Sequence, residues 1–223
     1  VEELNAHRAA GYRQFQVKVG ADWAADIERI HATVPLMKSG EKAFADANQG
    51  WRVDNAVRVA RACGSLDFIL EQPCRTYEEC QQVRRKTDLP MKLDECLTGI
   101  EMASRVVQDR GAEICCLKIS NLGGLSKARR VRDFLVDHRI PVVSEDTWGG
   151  EITSSAVAHF ATSTPAEYLI NSTDLMNYNT RSTGVGGPTT RDGKLFATDT
   201  PGLGVEPDFE SLGAPVATYE VSP

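Results

Sequence analysis

The chain has 223 residues, with 25 Lys and Arg against 31 Asp and Glu and a hydrophobic fraction of 41%. That size and balance suit one large folded domain or two small ones, and exclude disordered, collagenous and coiled-coil chains. A formal net charge of −6 offers nucleic acid or an anionic membrane no attraction, and no apolar run reaches the roughly 18 residues that a bilayer span needs.

The chain opens with Val1 directly in a helix-like stretch, residues 1–10, which points to further chain upstream of it. A strand at 15–19 then leads to a helix at 21–34, a strand at 43–45 to a helix at 54–63, and a strand at 68–70 to a helix at 76–87. The same alternation continues with a strand at 91–93 and helix at 99–110, then 114–119 and 125–138, then 141–143 and 151–162, and a last strand at 167–170. Strand followed by helix, repeated, means parallel pairing with helices outside, and short runs that are apolar throughout suit strands buried on both faces. The strand ends fall near residues 18, 46, 71, 94, 118, 145 and 171, a spacing of 23 to 28 residues. Such even units, with no G-x-G-x-x-G among them, favour a closed barrel over an open doubly wound sheet. The expected fold class is therefore α/β, a parallel (β/α)7β-type TIM-like barrel over residues 1–178, with its first strand lying upstream of Val1. The remaining 179–223 carry Gly184, Gly186, Gly187, Pro188, Pro201, Gly202, Gly204, Pro207 and Pro215. These mark turns and a short hairpin that packs back on the barrel or on a capping domain outside the chain.

Six cysteines, Cys63, Cys74, Cys80, Cys96, Cys115 and Cys116, contain no C-x-x-C pair. Reduced, buried thiols in a reducing compartment, the cytoplasm, are the reading that follows.

In barrels of this kind the chemistry sits at the C-terminal strand ends. Those ends present Lys18, Asp46 with Asn48, Glu71, Asp94 with Glu95, Lys118, Glu145 with Asp146, and Asn171 to Asp174. Asp46, Glu71 and Asp94 come from three successive strands, so their carboxylates converge and repel unless a cation neutralises them. Oxygen-only ligands point to a hard cation, Mg²⁺ above all. Asn48 and Glu95, just past two of these residues, are placed to support them. Lys18 and Lys118 flank the acids, and a lysine beside a divalent cation has its pKa lowered towards use as a base. With a metal holding a carboxylate, the pair points to removal of the adjacent α-proton. Helix capping and surface ion pairing are the ordinary alternatives for any one of these acids, but they do not account for three in register. His7, His31, His138 and His159 all fall in helical stretches, which argues against a histidine base. The absence of a G-x-S-x-G elbow and of a phosphate loop argues against serine hydrolysis and nucleotide chemistry.

These stretches resemble the enolase superfamily, in its mandelate racemase and muconate lactonising enzyme branch. The matching residues are Gln16-Val17-Lys18, where that branch usually has K-x-K, then Asp46-Ala47-Asn48, Leu70-Glu71-Gln72-Pro73, Leu93-Asp94-Glu95, Leu117-Lys118 with Gly123-Gly124, and Glu145-Asp146-Thr147-Trp148-Gly149-Gly150. The resemblance runs from about residue 10 to the end. It implies Mg²⁺ on Asp46, Glu71 and Asp94, with Lys18 and Lys118 as acid and base. It also implies an N-terminal α+β capping domain that this chain does not contain, and a homo-oligomer in the full-length form. Gln16 departs from the pattern, removing a charge beside Lys18.

Within that branch, Glu71-Gln72-Pro73-Cys74 and the Asp146-to-Gly150 stretch look like the members acting on proline derivatives, by dehydration of cis-3-hydroxy-L-proline or epimerisation of N-methylated prolines. A quaternary ammonium prefers an aromatic face, which Asn171-Ser172-Thr173-Asp174 lacks. Asp146 and Asp174 suit a secondary ammonium, and Trp148 offers a ring. The expected activity is therefore a Mg²⁺-dependent dehydratase acting on a small amino acid, with Lys18 as base and Lys118 as acid. Epimerisation, which uses the same two lysines, and a catalytically incompetent barrel are the rival readings. A metal-dependent aldolase-like barrel would need an inward histidine or a Schiff-base lysine, and neither is evident.

Overall fold

The computed structural model describes residues 2–220; Val1 and residues 221–223, the extremities of the expected first helix and tail, lie outside the described residues. After α1 (Glu2–Ala9), seven strands alternate with helices: β1 (Gln14–Lys18), α2 (Trp23–Thr33), β2 (Lys42–Asp46), α3 (Val53–Cys63), β3 (Ile69–Glu71), α4 (Tyr77–Arg84) and β4 (Met91–Leu93). The series continues through α5 (Ile100–Asp109), β5 (Ile114–Lys118), α6 (Leu125–Asp137), β6 (Val142–Glu145), α7 (Glu151–Thr162) and β7 (Leu169–Ser172). All seven strands pair in parallel with their sequence neighbours in the order β1 to β7. The result is a curled α/β sheet of the barrel type expected from the repeat.

Alternation along each strand sorts the side chains between two cores. Ala43, Ala45, Leu70, Met91, Leu93, Cys115 and Leu117 face outward into the main core, where they meet helix residues such as Ala56, Val59, Ala60 and Cys63 of α3. That helix set recurs at the i, i+3, i+4, i+7 spacing of one face. Phe44, Ile114, Cys116 and Val143, with Ile69 and Ile170 against them, fill the inside of the curl. Two residues beyond Phe44, Ile69, Cys116 and Val143 lie Asp46, Glu71, Lys118 and Glu145. The period of two that packs the interior therefore also delivers charged side chains to its mouth.

The sheet does not close by main-chain pairing, since β1 and β7 have no ladder between them among the described residues. Gln14 spans this seam instead, donating from Nε2 to the Ile170 carbonyl at 2.6 Å and accepting at Oε1 from Asn171 Nδ2 at 2.7 Å. The tail forms β8 (Gly184–Gly186), β9 (Thr189–Arg191), β10 (Lys194–Phe196), β11 (Val205–Pro207) and α8 (Phe209–Leu212). β9 and β10 make a hairpin, while β8 pairs with the distant β11. Glu151 Oε2 on α7 accepts from both the amide and the hydroxyl of Thr183 at 2.8 Å, which fixes the tail to the outside of the sheet.

Helix α1 is tied down by a bidentate ion pair. Arg8 donates from Nε to Glu41 Oε1 at 2.8 Å and from Nη2 to Glu41 Oε2 at 2.7 Å, and the Lys38 amide adds a third bond at 2.9 Å. The guanidinium chiefly, with that amide, holds the Glu41 carboxyl down from its ordinary 4.5 to about 2. A depressed carboxyl stabilises the fold above its unfolded value and loses that contribution as pH falls through the folded one. Thermal denaturation between about pH 5 and pH 2 should therefore show an acid-side loss that Glu41→Gln lacks.

Candidate active site

Strand register assembles the mouth. Lys18 lies opposite Asp46, Asp46 opposite Glu71, Glu71 opposite Lys92, and Lys118 opposite Glu145. Asp94 follows directly on β4. Each of the three expected metal-binding carboxylates carries a lysine: Lys18 Nζ lies 2.6 Å from Asp46 Oδ2, Lys92 Nζ 2.7 Å from Glu71 Oε1, and Lys118 Nζ 2.7 Å from Asp94 Oδ2. The three lysines differ in freedom, with side-chain exposures of 61% for Lys18, 12% for Lys118 and 4% for Lys92.

Asn48 links the Lys18–Asp46 pair to Glu95. Asn48 accepts from Lys18 Nζ at 2.9 Å, donates its amide hydrogen to Asp46 Oδ1 at 2.9 Å, and donates from Nδ2 to Glu95 Oε1 at 3.1 Å. Gln16, standing where the resembled branch has a lysine, donates to Glu71 Oε2 at 3.2 Å. Buried Gln72 accepts the Asp94 amide at 2.9 Å and so sets the turn that leaves β4.

Burial, reinforced by Asp46 and Asp94 and opposed by Lys92, pushes the Glu71 carboxyl up to about 7. Burial disfavours the charged form of Lys118, but Asp94 and Glu145 more than offset it, and this ammonium lies above its ordinary range. At Lys118 the chain's own carboxylates thus favour the charged amine, as its expected part as acid requires.

The donor set fits a hard divalent cation. Asp46, Glu71 and Asp94 are buried at the ends of adjacent strands, and Asp94 Oδ1 has no hydrogen-bond partner among the described residues despite its burial. A buried carboxylate oxygen left without a donor is what an oxygen-preferring ion takes up. A second acidic group, Asp94, Cys116 and Glu145, has ligand atoms within 4.8 Å of one another. There burial first, then Glu145 and Asp94, push the Cys116 thiol well above its ordinary range, and Sγ donates to Glu145 Oε2 at 3.0 Å. That bond engages the thiol with Glu145 inside the sheet. The other five cysteines are likewise free thiols.

The residues expected to meet substrate, Asp146, Asp174 and Trp148, lie in the loops beyond β6 and β7. Asp146 is buried and accepts from the Ser120 amide at 3.2 Å, from the Ser120 hydroxyl, and from the Thr147 amide at 2.7 Å. Asp174 accepts from the Tyr12 hydroxyl at 2.5 Å, Asn177 Nδ2 at 2.7 Å and Thr190 Oγ1 at 3.2 Å. Both carboxylates are occupied by holding loops together. Trp148 is 59% exposed and has Tyr178 as a neighbour, with ring centroids 5.6 Å apart.

Sequence reasoning passed over Lys92, Glu145 as an inward group, and Tyr178. Lys92 carried a usable signal, because it precedes Asp94 by two residues and must share its face of β4.

Comparison with known proteins places these features in a family. The family model described as "Enolase C-terminal domain-like" matches residues 1–212. A cis-3-hydroxy-L-proline dehydratase from Roseibium aggregatum is 44% identical over 218 residues, covering 98% of this chain and 59% of that protein. The crystal structure of a mandelate racemase/muconate lactonizing enzyme from Roseovarius nubinhibens superposes with a TM-score of 0.96 at 75% identity, over 99% of this chain and 60% of the other. A member of the enolase superfamily from the same organism, complexed with magnesium, gives a TM-score of 0.91 at 34% identity, over 99% and 60% of the two chains. The chain thus spans about three fifths of the length of the proteins it matches. It belongs to the enolase C-terminal domain-like family.

Proposed function

We propose that this chain is the barrel of a Mg²⁺-dependent dehydratase, which abstracts the α-proton of a proline-type amino acid and eliminates its 3-hydroxyl, as in cis-3-hydroxy-L-proline. The observation that carries the reading is the pair of lysines held at 2.6 Å and 2.7 Å against the outer carboxylates of a buried acid triad. The dehydratase relative supplies the substrate class.

Asp46, Glu71 and Asp94 would hold the ion. When bound, Mg²⁺ supplies countercharge for the substrate carboxylate and for the negative charge that develops once the α-proton leaves. Lys18, half free in the mouth, takes the α-proton at Nζ. Lys118, which Asp94 and Glu145 keep charged, gives a proton to the departing 3-hydroxyl. The Cα–H and Cβ–O bonds break, Cα=Cβ forms, and water leaves an enamine that tautomerises to a cyclic imine acid.

The exposed Trp148 and Tyr178 rings favour one second reading, epimerisation of an N-methylated proline, because a quaternary ammonium is attracted to aromatic faces. Proton NMR in D₂O with Mg²⁺ and cis-3-hydroxy-L-proline, run on the protein at the full length of its relatives, separates the two. The expected result is conversion to the cyclic imine acid. Loss of the α-proton signal without elimination would favour epimerisation, and no change with this substrate would overturn the dehydratase reading.

A further inference from the structure

Asp26 is fully buried on the first turn of α2, outside the sheet. A buried carboxylate needs partners to offset its desolvation, and those of Asp26 all lead toward the mouth. Its Oδ2 accepts from the Gly20 amide at 2.8 Å and from Trp51 Nε1 at 3.0 Å, while Oδ1 pairs with Arg29 Nη1 at 2.6 Å. Gly20 lies two residues past Lys18 on the loop leaving β1. Trp51 lies three residues past Asn48 on the loop leaving β2. Arg29 also donates to the Lys18 carbonyl at 3.1 Å.

These contacts converge on one lysine. Its backbone is gripped at its carbonyl by Arg29 and just beyond, at Gly20, by Asp26. Its amine rests on Asp46 and Asn48, on the strand end and loop that the Trp51 indole anchors to the same carboxylate oxygen. The two loops touch backbone to backbone: a Cβ on Gly20 would lie 2.1 Å from the Ala47 carbonyl oxygen, and one on Gly50 2.1 Å from that of Gly20. No side chain cushions the contact, so a shift in either loop carries directly to the other. Helix capping does not explain Asp26, because Asp22 already caps α2 through bonds to the amides of Ala24 and Ala25.

We propose that Asp26 is a positioning residue for Lys18, a buried clamp that sets the distance between the loops carrying the lysine and its two acceptors. This rests on the reading of Lys18 as the base. The bonds of Asp26 and Trp51 do not involve the side chains of Glu71 or Asp94. Asp46, however, is both an acceptor of Lys18 and a proposed ion ligand, so the clamp acts first on the proton-transfer step and reaches ion binding only through Asp46.

The test compares Asp26→Ala, Asp26→Asn and Trp51→Phe, with Lys18→Ala as reference, in the Mg²⁺-loaded protein at the full length of its relatives. Asparagine keeps an oxygen for the Gly20 amide and the indole. Asp26→Ala is expected to lower kcat for α-proton exchange by about 10²-fold, the scale of a misplacement near 1 Å. KM should stay within about threefold and the Mg²⁺ dissociation constant from calorimetry should shift far less than kcat, a split that general loss of structure would not produce. Asp26→Asn should retain kcat within about threefold, and Trp51→Phe should lose about tenfold. The Trp51 indole resonance should move in Asp26→Ala and hold in Asp26→Asn. Full kcat in Asp26→Ala despite a displaced indole signal would overturn the proposal. If Asp26→Ala does not fold, full kcat in Trp51→Phe would do so. Full turnover in Lys18→Ala would instead overturn the reading of Lys18 as base, whatever the Asp26 variants show.

Discussion

Lys92→Met is expected to lower the free energy of unfolding by about 3–5 kcal/mol, the usual cost of removing one partner from a buried ion pair. Both side chains are enclosed, Lys92 with 4% exposure and Glu71 with none. The ammonium also lies 5.3 Å over the Phe44 ring, so methionine replaces most of the lost packing and the deficit is electrostatic. Glu71 would remain between Asp46 and Asp94 with no countercharge beside Oε1. The double variant Lys92→Met/Glu71→Gln should recover much of the loss, because exchanging both members of a buried pair for neutral groups is close to neutral. Urea denaturation in EDTA checks both. A Lys92→Met deficit below about 1 kcal/mol, the range of exposed pairs, would show that the ammonium is dispensable inside the sheet.

That lysine also shows where sequence reasoning stopped. Met91-Lys92-Leu93 reads as an apolar strand with one polar interruption, and only its pairing opposite Glu71 explains why the interruption is tolerated. The strands themselves were legible because parallel strands covered on both faces must be apolar throughout. The apolar runs stop at Ala45, Leu70 and Val143, yet the strands carry on to Asp46, Glu71 and Glu145, where the spacing of the repeat places their ends. An inward charge ends a hydrophobic run without ending a strand when it finds partners on the neighbouring strands. The acid triad and its flanking lysines were legible because one residue type recurred at one point of a repeating unit. Asp26 was not, since it looks like any polar position on an amphipathic helix. Asp174 is legible as a strand-end acid, but its bond to Tyr12, 162 residues away, leaves no mark in the local sequence. The β9–β10 hairpin turns at Asp192-Gly193, a strong local signal, but β8 finds β11 across a gap that leaves no mark in the intervening residues.

Lys18→Ala should separate chemistry from stability more cleanly than any other change in the mouth. Its side chain is 61% exposed, although its partner Asp46 is 1% exposed. Water around the ammonium weakens the pair and the Asn48 amide stays on Asp46 at 2.9 Å, so the variant should fold and lose less stability than Lys118→Ala. Loss of a positioned base costs roughly 10²–10⁴-fold in rate, and α-proton exchange in D₂O should fall by that factor with substrate KM little changed. Lys118→Ala offers the contrast. At 12% exposure, with its amine 2.7 Å from a nearly buried Asp94, it should lose activity and stability together, as Asp94 is left without its cation. Two lysines symmetric in sequence, each at a strand end flanking the acids, are therefore predicted to differ in kind: one free to leave its carboxylate and reach a substrate, the other built into the wall. Equal stability losses in the two variants would contradict that asymmetry. Exchange unaffected by Lys18→Ala would move the base to Lys118 and reverse the direction in which the α-proton leaves.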